Sequence, residues 1–369
     1  MSAAWSERQS WAARLNGGHT PPRRAWDLLE ALGPRRLSSA GDEEWAQACG
    51  ARVDEAARWR RSALDFDVAA EERRAEDLGA RLLVRGDGEY PDLLASIHDP
   101  PLVLYVQGTM THDPPVAFVG SRVPTGYGLR QARTLASDAA RRGIVVVSGL
   151  ARGVDGAAHA AALEAGGKSW AVLGTGLGRV YPAEHRELAR RIWAKGGAVI
   201  SEMPIDTAPK PELFPRRNRI VAGLSWGVVV IEGREKSGSL ITARLAGEYG
   251  REVLAVPGPV DSPLSEAPHR LLAQGAAWAF SIEDIVAALP RGVVAATPAT
   301  SSAARADDVH SPEEERILAL LGAHTLSLDE LVHLSGLDTA LISSIMFGLE
   351  TKERVISTPG QRYAQKEVC

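Results

Sequence analysis

Residues 116–149, VAFVGSRVPTGYGLRQARTLASDAARRGIVVVSG, read as strand, glycine-containing turn, helix and strand. Residues 116–119 and 144–147 are short apolar runs. Between them Leu129, Ala132, Leu135, Ala136 and Ala139 fall on one helical face, and Gly143 is a stop signal. The alternation continues downstream. Further strand runs lie at 170–173, 198–200, 228–231 and 253–256, with helical segments at 156–165, 182–195, 216–224 and 238–249. Continuous apolar strands joined by helices predict a parallel sheet covered on both faces. The predicted fold class is α/β, with a doubly wound, Rossmann-like parallel sheet over residues 81–290.

Both flanks read differently. Residues 1–80 show short helices punctuated by Gly33 and Gly50 and no strand-like run, which predicts a small helical (SAM-like) domain. Five of the nine Trp (Trp5, Trp11, Trp26, Trp45, Trp59) lie in it and are expected to anchor its core. Residues 291–310 are rich in Ala, Ser, Thr and Pro and read as a linker. Residues 311–369 carry two capping boxes, Ser311 with Glu314 and Ser327 with Glu330. Helices expected at 312–321, 328–334 and 338–349 precede strands at 355–357 and 362–364 about a Pro359-Gly360 turn. That order predicts a C-terminal winged-helix domain.

At 369 residues the chain is long enough for two or three domains. Two cysteines, Cys49 and Cys369, cannot build a disulfide framework or a four-ligand zinc site. No apolar run is long enough to span a bilayer, and the first residues lack the apolar core of a signal peptide. A cytoplasmic protein without membrane association, cofactor or metal is expected. The formal net charge of −4 hides an asymmetry. Residues 116–219 hold 16 Lys+Arg against 8 Asp+Glu, a basic core in an otherwise acidic chain.

In a doubly wound sheet, ligands bind beyond the carboxyl ends of the strands. The segments following four strands share one chemistry: Gly120-Ser121-Arg122, Ser148-Gly149 with Arg152, Gly174-Thr175-Gly176, and Ser237-Gly238-Ser239. Small residues let the backbone approach an anion, helix N-termini offer N–H groups, and Arg forks suit phosphate. The sharpest signal is Phe214-Pro215-Arg216-Arg217-Asn218-Arg219. With Pro215 opening a helix, three arginines are expected in its first turn, where the dipole disfavours cations and a bound polyanion would compensate. One or more of them is expected to pair with Glu202 or Glu232. Phe214 is either a stacking platform for a base or a core residue. Asp155 and His159 share one helix face without further ligands at metal-binding spacing, so His159 is read as a buried hydrogen-bonding residue. No G-x-x-x-x-G-K-[ST] or G-x-S-x-G motif is present.

The ordered blocks VAFVGSRVPTGYG, VVVSGLARGVDGAAH, AVLGTGLGRVYP, ISEMP, FPRRNRIVAGLS, EKSGSLITARLAGEYGREVLAVPG and QGAAW closely resemble the DNA-processing protein A (DprA/Smf) family. So does the lead-in GDGEYPDLLASIHDPPLVLYVQG. The resemblance implies a non-enzymatic recombination mediator of natural transformation. Such a protein binds single-stranded DNA, forms a homodimer and loads RecA recombinase. Carried over by motif, Gly120, Ser121 and Arg122 are expected to hold phosphate. Phe214, Arg216, Arg217, Asn218 and Arg219 are expected to form the surrounding DNA pocket, with Ser237, Gly238 and Ser239 on its rim. Gly149 and Arg152 complete the expected DNA-binding set. The chain departs from the family pattern at His185 and at Ala267-Pro268-His269.

Two other readings compete. One is a nucleotide-processing hydrolase of the lysine-decarboxylase-like Rossmann family, but Thr242 stands where that family carries its catalytic Glu. The other is a transcription factor acting through the winged helix. The expected third helix, 338–350, has no Lys or Arg to meet a major groove, so this module reads as protein-binding or at most weakly DNA-binding.

Overall fold

The computed structural model describes residues 4–294, 312–321, 325–351, 355–358 and 362–365. Residues 295–310 of the expected linker, the Ser311 capping box and the Pro359-Gly360 turn lie outside the described residues. The chain divides into two compact units, Met1–Ala296 and Thr297–Cys369.

The first unit opens with five helices, α1 (Glu7–Gly17), α2 (Pro22–Ser39), α3 (Asp42–Cys49), α4 (Val53–Asp65) and α5 (Val68–Asp77). Gly33 does not end α2 but bends it, because its φ of 66° breaks the helical path while the chain resumes a helix beyond it. Trp11 and Trp45 are buried with Leu28 and Leu29, and Trp5, Trp26 and Trp59 pack against them partly exposed. This layer docks on the sheet by polar contacts as well. Glu71, buried, accepts the Ile205 N–H at 2.7 Å, and the Asn16 side-chain amide donates to the Glu202 carbonyl at 2.8 Å. Both bonds fix the segment that follows the sixth strand.

The sheet has nine strands: β1 (Ala80–Val84), β2 (Val103–Gly108), β3 (Pro115–Val119), β4 (Val145–Ser148), β5 (Ser169–Leu173), β6 (Ala198–Ser201), β7 (Gly227–Val230), β8 (Glu252–Ala255) and β9 (Ala277–Trp278). Their spatial order is β1-β2-β6-β5-β4-β3-β7-β8-β9. From β6 to β9 every pairing is parallel; β1 and β2 add an antiparallel hairpin to the β6 edge. Sequence periodicity does not place β1, β2 or β9, since the first two form an antiparallel pair with only a four-residue helix between them and the last has two residues. After the short α6 (Asp92–Ala95) come α7 (Gly126–Arg141), α8 (Val154–Glu164), α9 (Arg186–Ala194), α10 (Leu213–Gly223), α11 (Gly238–Glu248), α12 (Glu266–Ala273) and α13 (Ile282–Ala288). Val116 and Phe118 face one apolar layer with α7 and α8, while Ala117 and Val119 face the other with α10 and α11, as a two-faced sheet requires.

The second unit holds α14 (Pro312–Leu321), β10 (Leu326–Ser327), α15 (Leu328–Ser335), α16 (Thr339–Thr351), β11 (Val355–Thr358) and β12 (Arg362–Gln365). The strands form an antiparallel sheet, β10-β12-β11, and Ile317, Leu321, Leu331, Ile342 and Leu349 fill the core. Ser327 and Glu330 form the expected capping box. The fold is a winged helix. Among the described residues no helix is long and apolar enough to cross a membrane.

Candidate functional site

The strand order creates the site. From β3 the chain steps outward through β4, β5 and β6, then returns to lay β7 against the other side of β3. The segments leaving β3 and β7 therefore diverge, and a crevice opens at their carboxyl ends. A cleft of about 560 Å³ occupies this point. Its lining includes Gly120, Ser121 and Arg122 after β3, Gly149 after β4, and Ser237, Gly238 and Ser239 at the start of α11. Arg217 and Asn218 of α10 complete the far wall. Arg234 and Lys236, which the sequence reading did not single out, add two exposed cations to the rim. Their signal was present in the Gly-Arg-Glu-Lys run before the serines, a charged insertion between a strand end and a helix start.

The basic motif is built differently from the expectation. α10 begins at Leu213, so Pro215 is its third residue and the arginines fall beyond the first three positions. Proline is tolerated there because the first four helical N–H groups have no intrahelical acceptor. Arg216 and Arg219 both reach Glu202, at 3.3 Å from Arg216 and closer from Arg219. Arg219 is buried and also meets Asp99 at 3.4 Å. Neither residue lines the cleft.

Arg217 is buried at the cleft floor, 6% exposed, and donates to the Val172 carbonyl. Burial, and next the nearby charges, act on it: desolvation pushes its pKa down to about 10, with Asp155 opposing and Arg122 reinforcing the fall. It remains a cation at neutral pH. Asp155, also buried, accepts the Gly149 and Ala151 N–H groups at 3.1 and 3.3 Å, folding the loop after β4 over the start of α8. Desolvation raises the Asp155 pKa, and Arg217 is the largest influence holding it down. A Cβ on Gly149 would lie 2.2 Å from the Arg217 guanidinium, so this approach needs glycine.

Glu232 answers a different need. Its carboxylate accepts the Thr125 N–H at 2.9 Å and the Thr125 hydroxyl at 2.5 Å, and Thr125 in turn caps the Gly128 N–H at 3.1 Å. The N-terminus of α7, expected to offer free amides to an anion, is thus met by a carboxylate from within. At α11 the corresponding start has no side-chain cap; Ser237 and Ser239 hydroxyls bond each other at 2.7 Å. Of the two helix starts, that of α11 is the one left without a side-chain cap at the cleft.

Arg152 and Phe214 line a narrower slot that joins the cleft at Arg122, Gly149 and Arg217. Phe214 is half-buried, with the Arg122 guanidinium carbon 5.6 Å from its ring centre. Tyr181, which the sequence reading passed over, has its ring 5.5 Å from Phe214. His185 bonds from Nδ1 to the Leu150 carbonyl at 2.9 Å, securing the left-handed Leu150 (φ 56°) at the slot's edge. The family departure at this position therefore supports the loop. His269 likewise bonds the Gly258 carbonyl, at 3.0 Å. His159 is fully buried and bonded through Nδ1 to Ser169 at 2.6 Å. Among the described residues no group of three or more His, Cys, Asp and Glu could hold a metal.

Comparison with known proteins places this geometry in a family. Residues 81–290 match the model for DNA recombination-mediator protein A, and residues 298–361 that for the DprA winged helix domain. Protein Smf of Escherichia coli is 40% identical over 297 residues, spanning 78% of each chain. The X-ray structure of DNA processing protein A from Streptococcus pneumoniae superposes with a TM-score of 0.68 at 32% identity, over 78% of this chain and 99% of that one. DNA processing protein A from Helicobacter pylori, whose structure concerns its single-stranded DNA binding mode, gives a TM-score of 0.51 at 31% identity, over 56% and 94% of the two chains.

Proposed function

The chain belongs to the DNA recombination-mediator protein A family, and from that premise we propose that it binds single-stranded DNA in the β3–β7 cleft as part of DNA processing in natural transformation. The observation that carries this reading is the convergence of exposed Arg122, Arg234 and Lys236 with the uncapped start of α11 at the topological switch point. The Helicobacter relative's reported binding of single-stranded DNA supports it. Phosphates would lie against the cations and the α11 amides. Phosphate contacts position a strand without reading bases, so sequence preference is low. Arg216 and Arg219 serve indirectly, by anchoring α10 to Glu202. Loading of RecA onto the bound strand, in keeping with the family's description as a recombination mediator, and homodimerisation, which would link two clefts on one strand, are the finer parts of the proposal. Sedimentation at micromolar protein is expected to give a dimer; a monomer with undiminished DNA binding would remove that part.

Fluorescence anisotropy across a salt series tests the reading. Single-stranded oligonucleotide should bind more tightly than duplex of matched length, and binding should weaken steeply with salt as counterions are released. Arg122→Ala should cost about 1.5–3 kcal/mol of binding, the size of a charge-assisted contact, with an unchanged melting temperature because the side chain is exposed. Equal affinity for duplex, or a flat salt response, would refute the assignment.

A further inference from the structure

Along the slot beside the cleft, Arg122, Phe214, Tyr181 and Arg152 stand in sequence. The Arg122 guanidinium covers Phe214, Phe214 meets Tyr181 at 5.5 Å with the ring planes 49° apart, and the Tyr181 hydroxyl interacts with Arg152. The two aromatics differ in exposure. Phe214 is wedged between Arg122, Tyr181 and Gly174, where an added Cβ would come within 3.0 Å of its ring. Tyr181 is 40% exposed. The tilt between the rings leaves Tyr181 a face that Phe214 does not cover. Arg152 meets Glu184 at 2.5 Å besides the Tyr181 hydroxyl, with the Arg152 and Glu184 side chains about half exposed. A surface pair of this kind contributes little to stability, so its arginine can turn to another anion at small cost.

We propose that Tyr181 is a stacking platform, which takes a base of the bound strand on the face that Phe214 leaves open, with Arg152 turning from Glu184 to the adjoining phosphate. The inference rests on the single-stranded DNA reading above and extends the strand's path out of the cleft, past Phe214, to the Tyr181–Arg152 end of the slot. Bases stack on aromatic faces whatever their identity, and cations beside the ring hold the backbone. Tyrosine suits an exposed platform, because its hydroxyl sits at the wet end while the ring offers an apolar face.

The experiment compares an oligothymidylate with an oligonucleotide of equal length whose central residues are abasic, so that phosphates are kept and bases removed. The purified full chain is used, and each variant's melting curve is recorded. Tyr181→Ala and Tyr181→Leu should each weaken binding to the base-bearing strand by about tenfold, the effect of losing one stacked base. Tyr181→Phe should bind as the wild type does. On the abasic strand all four proteins should bind alike. An equal loss on both strands, or full affinity in Tyr181→Leu, overturns the platform. Should Tyr181→Ala fail to fold, the Leu and Phe variants decide the matter by the same comparison. Failure of the wild type to bind the base-bearing strand would instead overturn the underlying DNA-binding reading. Normal wild-type binding with an Arg122→Ala loss but no Tyr181 effect overturns the platform alone.

Discussion

Arg217→Ala is expected to lower folding stability by about 1–3 kcal/mol, the usual cost of leaving a buried polar group without its partner. On helix-dipole grounds alone the loss should be small, since a cation near a helix N-terminus adds no stabilisation. Burial reverses this. Arg217 is the main influence opposing desolvation of the buried Asp155 carboxylate, and it also occupies the Val172 carbonyl. Without it the Val172 carbonyl loses its donor, and Asp155 keeps only neutral donors such as the Gly149 and Ala151 N–H groups against the cost of its burial. Chemical denaturation of the variant beside Arg122→Ala separates the roles. The exposed Arg122 should lose DNA binding at full stability, and the buried Arg217 should lose both. Pairing Arg217→Met with Asp155→Asn should recover most of the stability, because both charges are then gone. A wild-type denaturation midpoint for Arg217→Ala would show that this residue is a ligand group and not a structural one.

Acidification is expected to weaken the fold through His159. Burial, then the His185 and Arg217 charges, hold its folded pKa down at about 3, against an ordinary value of 6.5. The folded state therefore keeps the ring neutral where the unfolded chain binds a proton. The stabilisation is fully present above pH 6.5 and is lost as pH falls from there towards 3, by up to about 1.4 kcal/mol per pH unit. Ser169 fixes the neutral form by accepting from Nδ1 while donating to the Val146 carbonyl at 2.6 Å, which leaves buried Nε2 without a partner. Asp155 works the other way. Its raised pKa makes the folded state the better proton acceptor as acid is added, so it partly offsets His159 at the acid end. His159→Asn keeps a donor towards Ser169 and cannot titrate. Its stability should fall less steeply than the wild type's between pH 6.5 and 4.5. Parallel curves for the two proteins would place the acid-sensitive group elsewhere.

The sequence alone determined the alternation of strands and helices from β3 to β8, because each strand is a continuous apolar run and each helix repeats its apolar face. It also determined which residue types collect beyond the strand ends, since small residues and arginines follow four strands in turn. The winged helix was legible for the same reason, in capping boxes and helix lengths. Only the tertiary structure decided which loops share a cleft. That depends on β7 pairing with β3, a partnership between strands more than a hundred residues apart that no local pattern encodes. It also decided which arginines face solvent. Arg216, Arg217 and Arg219 differ little as sequence, yet Glu202 takes two of them and Arg217 is buried near Asp155. It also decided which helix start is capped: Glu232, distant in sequence, holds Thr125 at α7, while α11 has no side-chain cap. Periodicity reports how a segment buries its own face. Partners for buried charges and helix ends come from whichever strand the topology brings alongside, and that is settled only when the sheet closes.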